Sequence, residues 1–241
     1  MKRRRRPYRM TTRAAGQALT RERILHSARD LYLSQPYDQV TIRDIARAGG
    51  VSVPTVLLHF GSKDRLLEEL VAISGPLEDA RRETTPGDPG EAARVIARRY
   101  EETGAAVLRM LALEQRFPAL ARAMDEGRKR HRGWVERTFS AALAARPAGA
   151  ARQRLTAELV AAYDIYTWHV LRAALSADET AIAIAEIAAG LIGTDNTSKG
   201  ADHAGSSGDV GRRRHDSAGA DDRAQTHRPR SRRSRSRRSD D

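Results

Sequence analysis

Apolar residues recur at three- and four-residue steps through most of positions 20–192, the spacing of helices that each bury one face. No stretch shows the alternation of a half-buried strand, so the pattern predicts an all-α chain. Ile24, Ala28 and Leu31, with Leu25 and Tyr32 beside them, form a stripe on a first helix running from a capping Thr20 to Pro36. Thr41 with Asp44 three residues on has the form of a capping box and opens a second helix carrying Ile42, Ile45 and Ala46. Gly49-Gly50 ends it, because glycine enters the left-handed region without penalty. Ser52 caps a third helix whose first turn tolerates Pro54, since the amides there lack intrahelical partners. Val56 falls on the face that packs back against Ala46. The order Ala46, Gly50, Val56 is that of a helix-turn-helix, whose second helix enters the major groove of DNA. Ser62 caps a fourth helix, KDRLLEELVAI, which Gly75-Pro76 closes.

Residues 76–90 are a linker or broken helix. Helical spacing resumes at 91–115 through Val95, Ile96, Tyr100, Val107, Leu108 and Leu111, and Phe117-Pro118 interrupts it. It continues over 119–145, with Leu120, Met124, Trp134, Val135, Phe139 and Leu143, up to the connector RPAGA at 146–150. A single helix is expected over 152–175. Its rows Leu155, Leu159, Tyr163, Tyr166, Val170 and Val160, Trp168, Leu171, Leu175 make it apolar on more than one side, so two faces need cover. Ser176 to Glu179 caps a last helix, 179–192, built almost wholly of Ala, Ile and Leu.

Charge alters this picture mainly at the ends. The net +12 divides into +7 on residues 1–13, +4 on 194–241 and +1 on everything between. An Arg-rich arm at 1–19 and an Arg/Ser-rich tail at 194–241 are expected to be disordered. Such basic ends associate with polyanions by counterion release and read no sequence; an arm beside a DNA-reading module can also follow the backbone or enter the minor groove. A solvated end with no dedicated role is the competing reading of each. The chain lacks cysteine, which excludes disulfides, thiolate nucleophiles and Cys-ligated metals and fits a reducing cytoplasm. No apolar window is long enough for a membrane span, and the basic start is not followed by a signal-like apolar run.

Val51-Ser52-x-x-Thr55-x-x-x-His59-Phe60-x-Ser62-Lys63-x-x-Leu66-Leu67, with Arg23-Ile24-Leu25-x-x-Ala28-x-x-Leu31 upstream, resembles the DNA-binding domain of TetR-family regulators over about 20–67 without a gap. The resemblance implies a three-helix DNA-binding domain at 20–67 followed by a helical effector-binding and dimerisation domain at 68–193. It implies a homodimer on double-stranded DNA, binding a roughly palindromic operator as a ligand-responsive regulator, a repressor released by a small molecule, without a cofactor. Thr41, Ser52, Thr55, His59 and Lys63 would hold phosphates, Arg43 a phosphate or a base, and Val53, Pro54, Leu57 and Leu58 would face the bases. His59 as a buried cap partner and Lys63 as a solvated lysine remain the structural alternatives. Many relatives have Lys-Gly at 53–54 and Tyr at 57 where this chain has Val-Pro and Leu, so its groove-facing surface is unusually apolar. Apolar side chains there read the thymine methyl.

In the second half the resemblance implies a pocket among the middle helices and pairing of the last two helices across a two-fold axis. Met110, Phe117, Met124, Trp134, Phe139, Tyr163, Tyr166 and Trp168 are the pocket candidates, each also fit simply to pack a core. His131 and His169 lack a metal-ligand partner at helical spacing, and no metal site is expected. RKRHR at 128–132 reads as a solvated face more readily than as an anion patch. An enzyme is not expected, since no phosphate loop, HExxH or Ser/His/Asp arrangement occurs. The remaining alternative is a sequence-independent nucleic-acid binder using its Arg-rich ends, which would show salt dependence without sequence preference.

Overall fold

A computed structural model describes residues 8–193. Ten α-helices and no strand occur among them. They are α1 (Tyr8–Ser34), α2 (Ile42–Ala48), α3 (Val53–Phe60), α4 (Lys63–Arg81), α5 (Pro89–Leu113), α6 (Pro118–Thr138), α7 (Ser140–Ala144), α8 (Ala150–Ala162), α9 (Ile165–Arg172) and α10 (Ala177–Gly193), with a single 3-10 turn at Glu114–Arg116. The C-terminal tail at 194–241 and the first residues of the N-terminal arm lie outside the described residues.

Two apolar cores organise the helices. The first gathers Ile24, Ala28 and Tyr32 of α1, Ile45 and Ala46 of α2, Val56 and Phe60 of α3, and Leu66 and Leu67 of α4. Ile24, Ile45, Val56 and Leu66 have no exposed surface, and each buried aliphatic side chain contributes about 1.5–3 kcal/mol. Ala119, Leu120 and Ala123 at the start of α6 complete this core, so the head is closed by a helix far along the chain. The second core joins α5 to α10 around Ile96, Tyr100, Trp134, Phe139, Leu159, Tyr163, Trp168 and Ile184.

The predicted caps at Thr41, Ser52, Ser62 and Ser176 form. Thr41 and Asp44 make the reciprocal capping box, with Thr41 Oγ1 accepting from Asp44 N at 3.2 Å and Thr41 N donating to Asp44 Oδ2 at 3.1 Å. Ser52 accepts from Thr55 N, Ser62 from Arg65 N and Ser176 from Glu179 N.

Besides the break at Phe139, which divides the run expected over 119–145 into α6 and α7, three boundaries differ from the expectation. Helix α1 begins at Tyr8, so Thr20 caps nothing; its hydroxyl donates to Gly16 O at 2.9 Å inside the helix. Ala14, Ala15, Gln17 and Ala18 are strong helix formers, and they prolong α1 into the stretch expected to be a disordered arm. Helix α4 runs through Gly75-Pro76 to Arg81. Bare Gly75 gives the Arg130 guanidinium of α6 room to lie against α4, where it pairs with Asp79 at 2.7 Å, and this packing overrides the proline. The helix expected over 152–175 is two. Asp164 turns extended and caps α9 by accepting from Tyr166 N at 2.9 Å, while the freed carbonyl of Tyr163 accepts from Tyr100 Oη at 3.1 Å.

Candidate nucleic-acid interface

The eight-residue helix α3 sorts its side chains cleanly. Val56 and Phe60 are buried, with exposures of 0 and 3%, and they fix the helix on α2 and α4. Pro54, Leu57 and Leu58 share the opposite face at helical spacing, and Leu58 is 83% exposed. An aliphatic side chain that exposed gains nothing for the fold. Ser52 and Thr55 sit at the N-terminal end with hydroxyls 2.8 Å apart. Pro54 has no N–H and Thr55 N donates to Ser52 Oγ, so the amides of Ser52 and Val53 are left without an intrahelical acceptor at the positive end of the helix dipole, and this end is suited to a phosphate. Gly61 ends the helix at φ 75°, a conformation that strains any residue with a Cβ, and its N–H donates to Leu57 O at 2.8 Å.

At the start of α2, Thr41 and Arg43 are exposed. The hydroxyl and amide of Thr41 hold the Asp44 carboxyl below the usual carboxylate range, and Arg47 approaches the same carboxylate at 3.4 Å. Thr41, Arg43, Ser52, Pro54, Leu57 and Leu58 therefore present themselves to solvent, with Thr55 half-buried beside Ser52. Val53 and His59 are half-buried, Val53 against the head core and His59 with its ring 6.2 Å from that of Phe60.

Lys63 is placed differently from its expected role at phosphate. Its ammonium donates to Tyr37 O at 2.9 Å and Val40 O at 3.0 Å and lies 4.0 Å from the centre of the Tyr37 ring. Burial pushes it below the ordinary lysine range. Tyr37 Oη in turn donates to Asp64 Oδ1 at 2.6 Å. Lys63, Tyr37 and Asp64 thus lock the α1–α2 connection to the first turn of α4. Periodicity alone did not single out Tyr37 or Asp64, since an isolated Tyr in a connector carries no spacing signal.

The eight pocket candidates do not surround one cavity. Met110, Phe117 and Met124 pack against the head core. Trp134, Phe139, Tyr163 and Trp168 are buried in the second core, packed ring on ring with centroids 5.3 Å apart for Phe139–Tyr163 and 5.4 Å for Trp134–Tyr163. Their polar atoms are also satisfied: Trp134 Nε1 donates to Arg82 O, Tyr163 Oη to Pro89 O and Trp168 Nε1 to Glu101 Oε1. Tyr166 points outward, 56% exposed. The basic run at 128–132 is largely spent on partners: Arg128 on Glu114, Lys129 on Asp125, Arg130 on Asp79 and Arg132 on Glu136. His131 is buried with Nε2 3.1 Å from Val160 O. Among the described residues no three His, Asp or Glu side chains gather at one point, and no helix is long and apolar enough to cross a membrane.

Comparison with known proteins agrees with this geometry. Residues 24–70 match the family described as bacterial regulatory proteins, tetR family. The HTH-type transcriptional regulator AlkX of Mycobacterium tuberculosis is 39% identical over 54 residues, which are 22% of this chain and 26% of that protein. The match thus spans about a quarter of the relative's length. Among solved structures, GusR of Salmonella enterica superposes with a TM-score of 0.53 at 19% identity, covering 72% of this chain and 95% of its own. A Mesorhizobium loti regulator assigned to the TetR family does so at 0.53 and 17% identity, covering 73% and 96%. These two likenesses concern the fold. Residues 24–70 thus carry the tetR-family DNA-binding domain, and the all-helical fold as a whole is shared with the two solved proteins.

Proposed function

We propose that the chain binds double-stranded DNA as a two-fold dimer, recognises a roughly palindromic operator through α3, and acts in the cytoplasm as a repressor released by a small-molecule effector. The exposed aliphatic face of α3 carries this reading: Leu58 at 83% and Leu57 at 42% exposure, in a helix whose other face is sealed in the core. Thr41, Arg43, Ser52 and Thr55 hold the backbone and set register, Pro54, Leu57 and Leu58 meet base edges, and half-buried Val53 and His59 support the helix from its margins. Readout by apolar groups favours thymine methyls over hydrogen-bonded base pairs. Binding-site selection from random duplexes tests this, with a consensus of spaced T-rich half-sites expected; a consensus of invariant G·C pairs would refute it. Salt-dependent binding with no consensus at all would replace it by sequence-independent association.

The dimer reading is supported by apolar surface on the last two helices. Tyr166 and Val170 of α9 and Ile182 and Ile187 of α10 are 43–69% exposed, and burying such a surface against its two-fold copy removes it from water. Val170→Glu is expected to convert a dimer to a monomer in sedimentation and to weaken operator binding with it. Half-sites about one helical turn apart, ~34 Å, need both heads in register, so a small change in their separation releases DNA. A coupling of ~1–3 kcal/mol between effector and operator suffices for several-fold to hundred-fold control.

A further inference from the structure

Between the loop at 82–88 and the C-terminal half of α6 lies a cleft of about 140 Å³. Trp134 forms its wall, and Arg82, Arg137, Thr84 and Thr138 bring polar groups to it. We propose that this cleft binds an oxyanion, a carboxylate or phosphate group that forms the charged end of the effector; the effector role rests on the ligand-responsive reading above.

The cleft is held ready by contacts between its two sides. The Arg82 carbonyl accepts from Trp134 Nε1 at 2.6 Å, Gly87 N donates to Thr138 O at 2.7 Å, and the Thr84 and Thr138 hydroxyls stand 3.5 Å apart. These contacts hold the Arg82 backbone and the loop against α6 before any ligand arrives. Its charge is unspent. Among the described residues neither Arg82 nor Arg137 forms an ion pair, whereas neighbouring Arg130 holds Asp79 and buried Arg99 holds Glu78 and Glu102. Arg82 Nε is buried with no acceptor. The Nε atoms of Arg99, Arg109, Arg130 and Arg152 are buried without an acceptor too, but each of those guanidiniums is held through another nitrogen; that of Arg82 is not, and a buried donor group left wholly without a partner is where an acceptor on a ligand fits.

The cleft's own carboxylates do not fill that gap. Asp79 is engaged by Arg130, and Glu83 is exposed at the rim. Two arginines without ion pairs therefore line the cleft beside one solvent-directed carboxylate, and it is left cationic. Guanidinium forks match the planar geometry of carboxylate and phosphate oxygens, and the two threonine hydroxyls add donors. An aromatic or aliphatic remainder of the ligand would lie on the Trp134 indole.

The test uses the full ¹⁵N-labelled chain. Its two tryptophans give two indole N–H resonances, and Trp134's is followed as inorganic phosphate or, separately, sodium acetate is added at constant ionic strength, with chloride as control. A saturable shift with an oxyanion and none with chloride is expected, and the tighter of the two anions tells phosphate from carboxylate. Arg137→Gln, on the surface, should weaken binding about tenfold or more, and Arg82→Gln should abolish it, with thermal melts confirming that both variants fold. No saturable shift, or one that both variants leave unchanged, overturns the proposal. Operator affinity measured beside each titration separates the two readings. Release of DNA by the bound anion supports the effector role; saturable binding with unaltered DNA affinity overturns that role and leaves the oxyanion site standing.

Discussion

Leu58→Ala should separate DNA recognition from folding. Leu58 is 83% exposed, so its side chain contributes almost nothing to the packed head. Truncation to alanine removes three carbons. At ~0.8 kcal/mol for each buried methylene the ceiling is about 2.4 kcal/mol, and partial cover in a groove brings the loss to roughly 1 kcal/mol per head. Two heads then lose ~2 kcal/mol, a drop of about thirtyfold in operator affinity. The melting temperature should stay nearly constant, because surface substitutions lie within ~0.5 kcal/mol. Val56→Ala, two residues earlier and 0% exposed, should show the reverse at the level of the fold. It opens a cavity worth about 1–3 kcal/mol, lowering the melting temperature by several degrees. Fluorescence anisotropy on the selected duplex and circular-dichroism melts measure both quantities. If Leu58→Ala melts several degrees lower while binding operator as tightly as before, α3 is not the reading element and its outward face belongs to some other contact.

Lys63→Met should cost about 1–3 kcal/mol, seen in urea unfolding, because the carbonyls of Tyr37 and Val40 lose a charged donor. A Cβ at Gly104 would stand 2.7 Å from Trp168 Cζ3, so Gly104→Ala should lower the melting temperature by several degrees, at roughly 1–3 kcal/mol, and alter tryptophan emission. Burial holds the His131 pKa below its ordinary 6.5, with the Arg82 charge acting in the same direction. The unfolded chain therefore takes up this proton first, and the stability it contributes is complete above about pH 6.5 and falls as pH drops from there toward the folded value. Melts at pH 7.5 and 5.5 should show that loss, and His131→Phe should diminish it.

The head was legible because its signals are local. Thr41 with Asp44, Ser52, Ser62 and Ser176 each declare a helix start within four residues, and Ile24, Ile45, Val56 and Leu66 announce their burial by spacing. The body was legible as helical but misjudged where distant residues decide. Gly75-Pro76 is a stop signal by itself, and only Arg130, more than fifty positions later, explains why α4 continues. The rows through Tyr163 run on without a visible pause, yet Asp164 finds a better use as a cap and Tyr100 accommodates the carbonyl that is released. Apart from exposed Tyr166, the pocket candidates divide between the two cores for a related cause. Size and aromaticity mark a residue as buried but not which core receives it, and Met110, Phe117 and Met124 fell to the head because α6 begins there. Arg82 and Arg137 carry no pattern at all; their interest arises from partners they lack, which only the folded chain displays.

Pro76 has a mechanical corollary. Having no amide hydrogen, it leaves the Ala72 carbonyl one rung short within the strut that leads from the reading head into the body. At that weak rung the alignment of the two segments is supported from outside, by the Arg130 brace on Asp79. A helix splinted by charge stiffens or slackens with ionic strength, so on the proposed reading the angle at which α3 meets DNA is expected to shift with salt, independently of the ions displaced from the phosphates.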